Sequence, residues 1–476
     1  MKNLSQILNE LTGTLGKENV IFSPEELIVY EADGFTMNKA LPEAVVFPRD
    51  TNEVQKIVKI LAENEIPFVP RGAGTGLSGG CLTPEGGIII ALAKLNKILK
   101  VEPKNRIAVV QCGVVNAHLS REVEEFSLCF APDPSSQFVC TIGGNVAENA
   151  GGPHTLKYGV TTNHILGLKV ILPNGELVEL GSEFEEDEGL DLVGTFVGSE
   201  GTFGIVTEIT CKLTPLPSYY KTFLTFFKTV EDGTNTVAEI IASGVIPAAL
   251  EMLDSHVLSA LESAFNLNIP KSAKSILIIE LDGFEEGVEA EAKIVKQCCE
   301  KNNAESYRFA ETPQERLKLW TARKKAFGAL GRATPNYYTQ DGVVPRSKLP
   351  EMLNKIYAIG EKFDLKIANI FHAGDGNLHP AILFDARNSE QTRRAEKASE
   401  EILKACINFG GSISGEHGIG LEKQNLMGLL YTQNDLEVMK NLKEVFNPKN
   451  LCNPSKIFPT NKGCIELSVK QRSGYV

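Results

Sequence analysis

The sequence carries no surplus of basic residues. Lys and Arg number 48 against 60 Asp and Glu, a formal net charge of −12. A nucleic-acid binder needs a basic face against phosphates, so the charge argues against nucleic acid as a partner. Long apolar runs are missing too. Neither Met1–Asn19 nor any later stretch has the apolar length of a signal peptide or a membrane span. The expectation is a cytoplasmic protein without direct membrane insertion, any membrane contact coming through partner subunits. Ten cysteines are present, yet none forms a C-x-x-C pair and no zinc or iron–sulfur spacing occurs. Electrons therefore have no metal cluster of the chain's own to leave by. Tryptophan occurs once and histidine only seven times, so the placing of the histidines is informative.

What is present reads as a globular protein. At 476 residues the chain exceeds a single core, and 42% hydrophobic with 23% charged residues excludes disordered and coiled-coil classes. Short helices are expected over 4–16 and 24–31. A strand at Ala44–Pro48 leads to Asp50-Thr-Asn-Glu53, a capping-box pattern, and a helix to about Asn64 with Val54, Ile57, Val58 and Leu61 on one face. Asn174-Gly175 between two apolar segments predicts a hairpin. A strand over Gly204–Leu213 closes this half before Pro215 and Pro217. Beyond it, Tyr219–Phe227, Asp232–Ser243 and Ala248–Leu253 form one β-α-β unit. Ser275–Leu281, Gly287–Lys301 and Ala304–Phe309 form a second. The pairing predicts an antiparallel sheet with helices on one face, an α+β arrangement. The chain from Arg387 onward reads as largely helical.

Three glycine-rich segments stand out in the first half. Pro70-Arg-Gly-Ala-Gly-Thr-Gly-Leu-Ser-Gly-Gly80 contains a formal G-x-G-x-x-G, but another loop and a strand follow it instead of a helix, so a nicotinamide-type Rossmann site is excluded. Its small residues still let successive backbone N–H groups cradle a diphosphate. Cys140–Gly152 adds Thr141, Asn145 and Asn149 as hydrogen-bonding groups among small residues, and Gly198–Gly204 precedes the closing strand. Three such clusters suit a long, extended cofactor.

The second half holds the chemistry. In Asn369-Ile-Phe-His-Ala-Gly-Asp-Gly-Asn-Leu-His-Pro380 a Gly-Asp-Gly turn separates His372 from His379. Two adjacent strands would let both imidazoles converge, a workable metal geometry. Glycines flank Glu416 and His417 in Gly410–Gly420 and expose them. Leu319–Phe327 sets the single tryptophan beside a basic helix.

The glycine segments resemble the FAD-binding domain of the vanillyl-alcohol-oxidase-type flavoproteins. Nearly the whole chain is similar to that superfamily's FAD-linked 2-hydroxy-acid dehydrogenases, the group of glycolate oxidase D subunits and of D-lactate and D-2-hydroxyglutarate dehydrogenases. The resemblance implies an α+β fold: an FAD-binding domain over 1–217 with a helical lead-in over 1–40, an antiparallel-sheet substrate or cap domain over 218–430 with a helical tail, and a segment over 431–476 returning to the flavin. It implies non-covalent FAD held by Pro70, Arg71, Gly72, Ala73, Gly74, Thr75, Gly76, Leu77 and Ser78 around the pyrophosphate. Pro132, Asp133, Thr141, Gly144, Asn145, Asn149, Gly151, Gly152, Gly159, Glu200, Gly201, Gly204 and Ile205 would line the rest, with Asn377 and Asn453 near the flavin.

By the same likeness His372, His379 and Glu416 would bind a divalent metal, with zinc, iron or manganese all compatible with that ligand set. His417 would be the general base, taking the hydroxyl proton of a small 2-hydroxy acid as the hydride passes to the flavin N5. Arg323 would bind the substrate carboxylate. Relatives that act on a dicarboxylate carry an extra basic residue where this chain has Asn336-Tyr-Tyr-Thr-Gln-Asp341, which favours glycolate or D-lactate, with Tyr337 and Tyr338 closing the pocket. Electrons would go to oxygen, to a quinone or to partners: a second flavoprotein and an iron–sulfur subunit, or an electron-transfer flavoprotein. The alternatives are D-2-hydroxyglutarate or another 2-hydroxy acid as substrate, and a non-catalytic flavin-binding subunit. The intact His and Glu-His clusters speak against the latter.

Overall fold

The computed structural model describes residues 3–183, 189–332 and 334–459. Its first body contains two larger sheets and a two-stranded one, Leu128–Cys129 with Thr214–Pro215. Ala44–Val46, Ile88–Ala91 and Phe68–Arg71 run parallel, because the helix Thr51–Glu63 crosses over between the first strand and the third; Val20–Ile21 adds an antiparallel edge. Asp50 caps that helix by accepting the Glu53 N–H at 2.9 Å. The capping box is only half formed, because the Glu53 carboxylate reaches back one residue further, to the Arg49 N–H at 2.7 Å. The second sheet is antiparallel, in the order Ile98–Glu102, Ile107–Gln111, Ile205–Lys212, Ile165–Ile171, Leu177–Gly181. Its last two strands form the hairpin expected around Asn174-Gly175, with Gly175 at φ +82°.

One apolar core joins both sheets. Ile7 and Leu11 from the first helix meet Val54, Ile57, Val58 and Leu61, together with Leu451 and Cys452 from far along the chain. The late segment enters because Phe68 exchanges backbone hydrogen bonds with Leu451 and Asn453, at 2.9 and 2.8 Å.

The second body is an antiparallel sheet in the order Ser306–Phe309, Tyr219–Phe227, Ser275–Gly283, Ala249–Asp254, Lys366–His372, Asn377–Phe384, Asn336–Thr339, with Gly342–Val343 also paired to Asn377–Phe384. The two β-α-β units interleave, since each unit's pair of strands is separated by one strand of the other. Helices cover both faces, which corrects the one-face expectation. Phe223, Leu250, Met252 and Leu277 pack beneath the helices at Val230–Ala242, Glu285–Lys301 and Leu349–Lys362. Leu224, Phe226, Leu253 and Ile276 pack on the other side against Ser255–Phe265 and the Trp320 segment. These strands are apolar at consecutive positions instead of alternating, as a sheet buried on both sides requires.

Helices continue late in the chain, at Ser389–Asn408 and Gln433–Phe446; the part of the expected returning segment over 460–476 lies outside the described residues. No helix among the described residues is long and apolar enough to cross a membrane. The nine described cysteines are all free.

Candidate active site

A deep cleft runs between the two bodies. Its wall takes Pro70, Gly72, Ala73, Gly74, Thr75, Gly76 and Leu77 from the first glycine loop. Thr141, Gly144 and Asn145 come from the second, and Glu200, Gly201, Gly204 and Ile205 from the third. The other body contributes Arg323, His379, Glu416 and His417, and Asn453 returns from the C-terminal stretch. The loops need their small residues. A Cβ on Gly72 would stand 2.7 Å from Thr141 Oγ1, and one on Gly201 (φ +66°) would stand 2.8 Å from Pro70. At Gly76 there is open space within 4 Å, so the loop presents bare backbone to the cleft. A surface of this kind, long and lined by backbone with few side chains, fits an extended dinucleotide.

The remaining predicted cofactor residues stand behind the wall and hold its shape. Arg71 donates to the Ala32 carbonyl at 2.9 Å and lies over the Tyr30 ring. Ser78 is fully buried, and its carbonyl accepts the N–H of Leu421. The Pro132 carbonyl accepts from Asn116 at 2.9 Å, while Asp133 pairs with His154 and Lys324. Asn149 ends the helix Ile142–Glu148 in the left-handed conformation. Gly152 leaves room for Asp133, and Gly159 (φ +81°) leaves room for Asn163. Gly151 marks where the bodies meet, because a Cβ there would lie 2.9 Å from Glu416 Oε2. Asn377 is buried beneath Gly415, its Oδ1 without a hydrogen-bond partner. Asn453, although on the wall itself, spends its amide on the protein, donating to Gly80 O at 3.0 Å and Glu200 O at 2.7 Å.

At the cap-side end the chemistry converges as the two-strand argument requires. Lys366–His372 and Asn377–Phe384 are antiparallel neighbours joined by the Gly-Asp-Gly turn, and the His372 and His379 rings lie 5.0 Å apart at 86°. Glu416 Oε1 is 3.3 Å from His372 Nε2 and 3.1 Å from His379 Nε2. These three ligand atoms all lie within 4.8 Å of one another. Burial opposes charge on His372, but Glu251 and Glu416 outweigh it and raise its pKa well above the ordinary histidine value. Burial likewise opposes the charge on Glu416, and His372 and His379 overcome it, holding the carboxyl well below the usual range.

A second trio, Asp341, His379 and His417, is equally close. Asp341 is already saturated: it accepts the N–H groups of Gly415, Glu416 and His417 and the Ser414 hydroxyl, and pairs with Lys423. The donor set that fits a divalent cation is therefore His372, His379 and Glu416.

His417 stacks on His379 with centroids 4.9 Å apart and planes 8° from parallel. Burial pushes its pKa down to about 4, against the pull of Asp341, so the imidazole is neutral at physiological pH. Asp341 and Glu200 fix the loop that carries it. Glu200, read from sequence as a cofactor residue, receives the N–H groups of Ile419 and Gly420 at 2.7 Å each.

Arg323 is buried at the cleft wall with Nη2 2.5 Å from Glu251 Oε2, outside hydrogen-bond alignment, and its Nε and Nη2 lack hydrogen-bond partners. Tyr337 lines the cleft beside Phe327, their rings 5.9 Å apart. Tyr338 does not: adjacent strand residues point to opposite faces, and its ring packs on Phe35 in the core. Arg346 is drawn to the Gly374 carbonyl and Lys348 to Glu351, so neither reaches the cleft wall.

The sequence reading missed Glu251, Asp341 and Lys423. All three are fully buried charges. The available signal was an acid inside an apolar strand, as in Ala249-Leu-Glu-Met-Leu-Asp254.

A glycine-lined cleft closed by an antiparallel-sheet body defines a two-body protein built to hold an extended dinucleotide at the seam. The structure of p-cresol methylhydroxylase with substrate bound shares this fold, with a TM-score of 0.80 over 94% of this chain and 96% of that one at 20% identity. The chain belongs to the FAD-linked oxidases: the FAD binding domain matches residues 42–181 and the FAD linked oxidases, C-terminal domain matches 216–457. Glycolate oxidase subunit GlcD of Escherichia coli (strain K12) is 43% identical over 448 residues, 94% of this chain and 90% of that protein. D-lactate dehydrogenase of Anaerostipes hadrus is 34% identical, covering 92% of this chain and 93% of its own length.

Proposed function

We propose that the protein is an FAD-dependent dehydrogenase oxidising a small 2-hydroxy monocarboxylate, glycolate or D-lactate, to the 2-oxo acid. The carrying observation is the meeting, at one end of the cofactor cleft, of two imidazoles and a carboxylate in metal-ligand geometry with a neutral His417 and a buried arginine. In this reading residues 1–217 hold the cofactor, 218–430 the substrate, and 431–476 complete the flavin side.

When bound, FAD would supply the two-electron acceptor and a divalent metal on His372, His379 and Glu416 the Lewis acid that acidifies the substrate hydroxyl. Arg323 would hold the substrate carboxylate through N–H groups left without hydrogen bonds. His417 would take the hydroxyl proton, its imidazole kept flat against His379 and its backbone pinned by Asp341. Among the described residues Arg323 is the one Arg or Lys on the cleft wall, which supports a single carboxylate on the substrate. Electrons would then pass to a quinone or to partner proteins, a second flavoprotein and an iron–sulfur subunit or an electron-transfer flavoprotein. The subunit name of the GlcD relatives supports the partner route.

The test is anaerobic titration of FAD-loaded, metal-replete protein with glycolate, each lactate enantiomer and D-2-hydroxyglutarate, following the oxidised-flavin absorbance. The expected result is bleaching by glycolate or D-lactate, abolished in His417→Ala. Bleaching by 2-hydroxyglutarate alone would overturn the monocarboxylate assignment, and bleaching by none of the four would overturn the reaction.

A further inference from the structure

We infer that Glu251 is a positioning residue serving two sites at once, fixing the imidazole of His372 toward the metal and setting the Arg323 guanidinium for the substrate carboxylate. The inference rests on the functional reading above and names a residue and a coupling that the reading does not contain.

The argument begins in the sheet. Glu251 sits in the strand Ala249–Asp254, every residue of which is buried. The strand pairs antiparallel with Lys366–His372, and in that register Glu251 lies directly opposite His372. Opposed residues project to the same face, so the carboxylate and the imidazole meet because of the strand pairing itself.

Two contacts account for the carboxylate. Its Oε1 is 2.6 Å from His372 Nδ1. An ionised carboxylate only accepts, so Glu251 keeps a hydrogen on Nδ1 and would leave Nε2, which faces Glu416, as the atom to bind a cation shared with His379 and Glu416. Its Oε2 is 2.5 Å from Arg323 Nη2. Glu251 is 0% exposed and Arg323 1% exposed, so each charge needs the other. Among the described residues Arg323 pairs with no other acid. The guanidinium is thereby anchored at one corner, while the residue borders the cleft.

Removing the negative charge would disturb both sites. Glutamine at position 251 could still accept from one partner, but its NH₂ would then face the N–H of the other. A residue with a merely structural role would lower the fraction of folded protein and leave the constants of the folded fraction unchanged. A positioning residue moves metal affinity and substrate KM together.

The experiment uses the full chain, FAD-loaded and stripped of metal. Zn²⁺ and Mn²⁺ are titrated in competition with a chromophoric chelator for the unmodified protein, Glu251→Gln, and the double variant Glu251→Gln/Arg323→Met. At saturating metal, KM and kcat for glycolate and D-lactate are then measured on the unmodified protein and Glu251→Gln. Expected for Glu251→Gln are metal binding weaker by about 10–100-fold and a KM raised by about tenfold or more, the loss of one charge-assisted contact. The double variant, which buries no unpaired charge, is expected to fold and still bind metal about 10–100-fold more weakly, because His372 has lost its partner. It keeps the test decisive if the single variant fails to fold. Metal affinity within twofold of the unmodified protein in whichever variant folds, or an unchanged KM in a folded Glu251→Gln, would overturn the inference. Failure of the unmodified protein to bind either metal would instead overturn the metal reading, and is recognisable because it needs no variant.

Discussion

Asp341→Asn should cost the protein about 3–5 kcal/mol, the usual penalty for leaving one member of a buried ion pair alone. The structure says why a penalty of that size applies. Asp341 and Lys423 are both 0% exposed and lie 3.0 Å apart. Asp341 also accepts the Ser414 hydroxyl at 2.7 Å and the N–H groups of Gly415 and His417 at 3.0 and 2.9 Å. Asparagine keeps one acceptor oxygen and turns an NH₂ toward groups that are themselves donors. Lys423 would be left with the Gly418 carbonyl at 3.1 Å and Glu422 at 3.8 Å. At about 2–4 °C per kcal/mol for a body of roughly 200 residues, thermal unfolding should fall by about 6–20 °C. The reverse substitution, Lys423→Met, should cost less, since the carboxylate keeps its hydroxyl and backbone donors. Thermal and urea unfolding of both variants, FAD-loaded, gives the comparison. A fall of less than about 3 °C for Asp341→Asn, or a larger loss for Lys423→Met than for Asp341→Asn, would refute the reasoning.

Two further predictions concern the seam between the bodies and the turn between His372 and His379. Burial opposes charge on His154, but Asp133 and Glu280 outweigh it and raise its pKa from 6.5 to about 10. A raised histidine stabilises fully below 6.5 and loses that contribution as pH rises through about 10. The unfolding midpoint of the unmodified protein should thus exceed that of His154→Gln at pH 6.5 and approach it near pH 10; a pH-independent difference would contradict this. Gly376 sits at φ +81° with a would-be Cβ 2.2 Å from the Val344 carbonyl. Gly376→Ala should cost about 1–3 kcal/mol in urea unfolding and weaken Zn²⁺ binding by spreading His372 from His379. An alanine variant of unaltered stability would show that the turn is not strained in the way described.

Much of this was legible in the sequence because the signals were local. Asn174-Gly175 demanded a two-residue hairpin, and a Gly-Asp-Gly turn could only place His372 and His379 on neighbouring strands. The glycine loops could be read as backbone surfaces from composition alone. What escaped depends on pairings across the chain. Glu251 makes sense only beside His372, 121 residues later, and Asp341 only beneath a loop more than 70 residues on. The coverage of both sheet faces was coded by consecutive apolar residues, as in Phe223-Leu-Thr-Phe-Phe227, but a run that short cannot be told from a buried helix segment by periodicity alone. Motif likeness also could not separate wall from scaffold. Arg71, Asp133 and Asn149 belong to the cofactor motifs by position, yet their side chains are committed to protein partners.

The return of Leu451–Asn453 to Phe68 has a consequence for biosynthesis. A ribosome delivers the strands of the first body early, but the wall they form has a gap until nearly the whole polypeptide has emerged. The clip from Asn453 to Gly80 and Glu200, and from Lys456 to the Leu82 carbonyl, can form only then. The nascent first half would therefore hold dinucleotide weakly, and secure cofactor uptake becomes one of the last events of maturation, after the second body has been made. Truncation near residue 450 would act less like trimming a tail than like withholding the clasp.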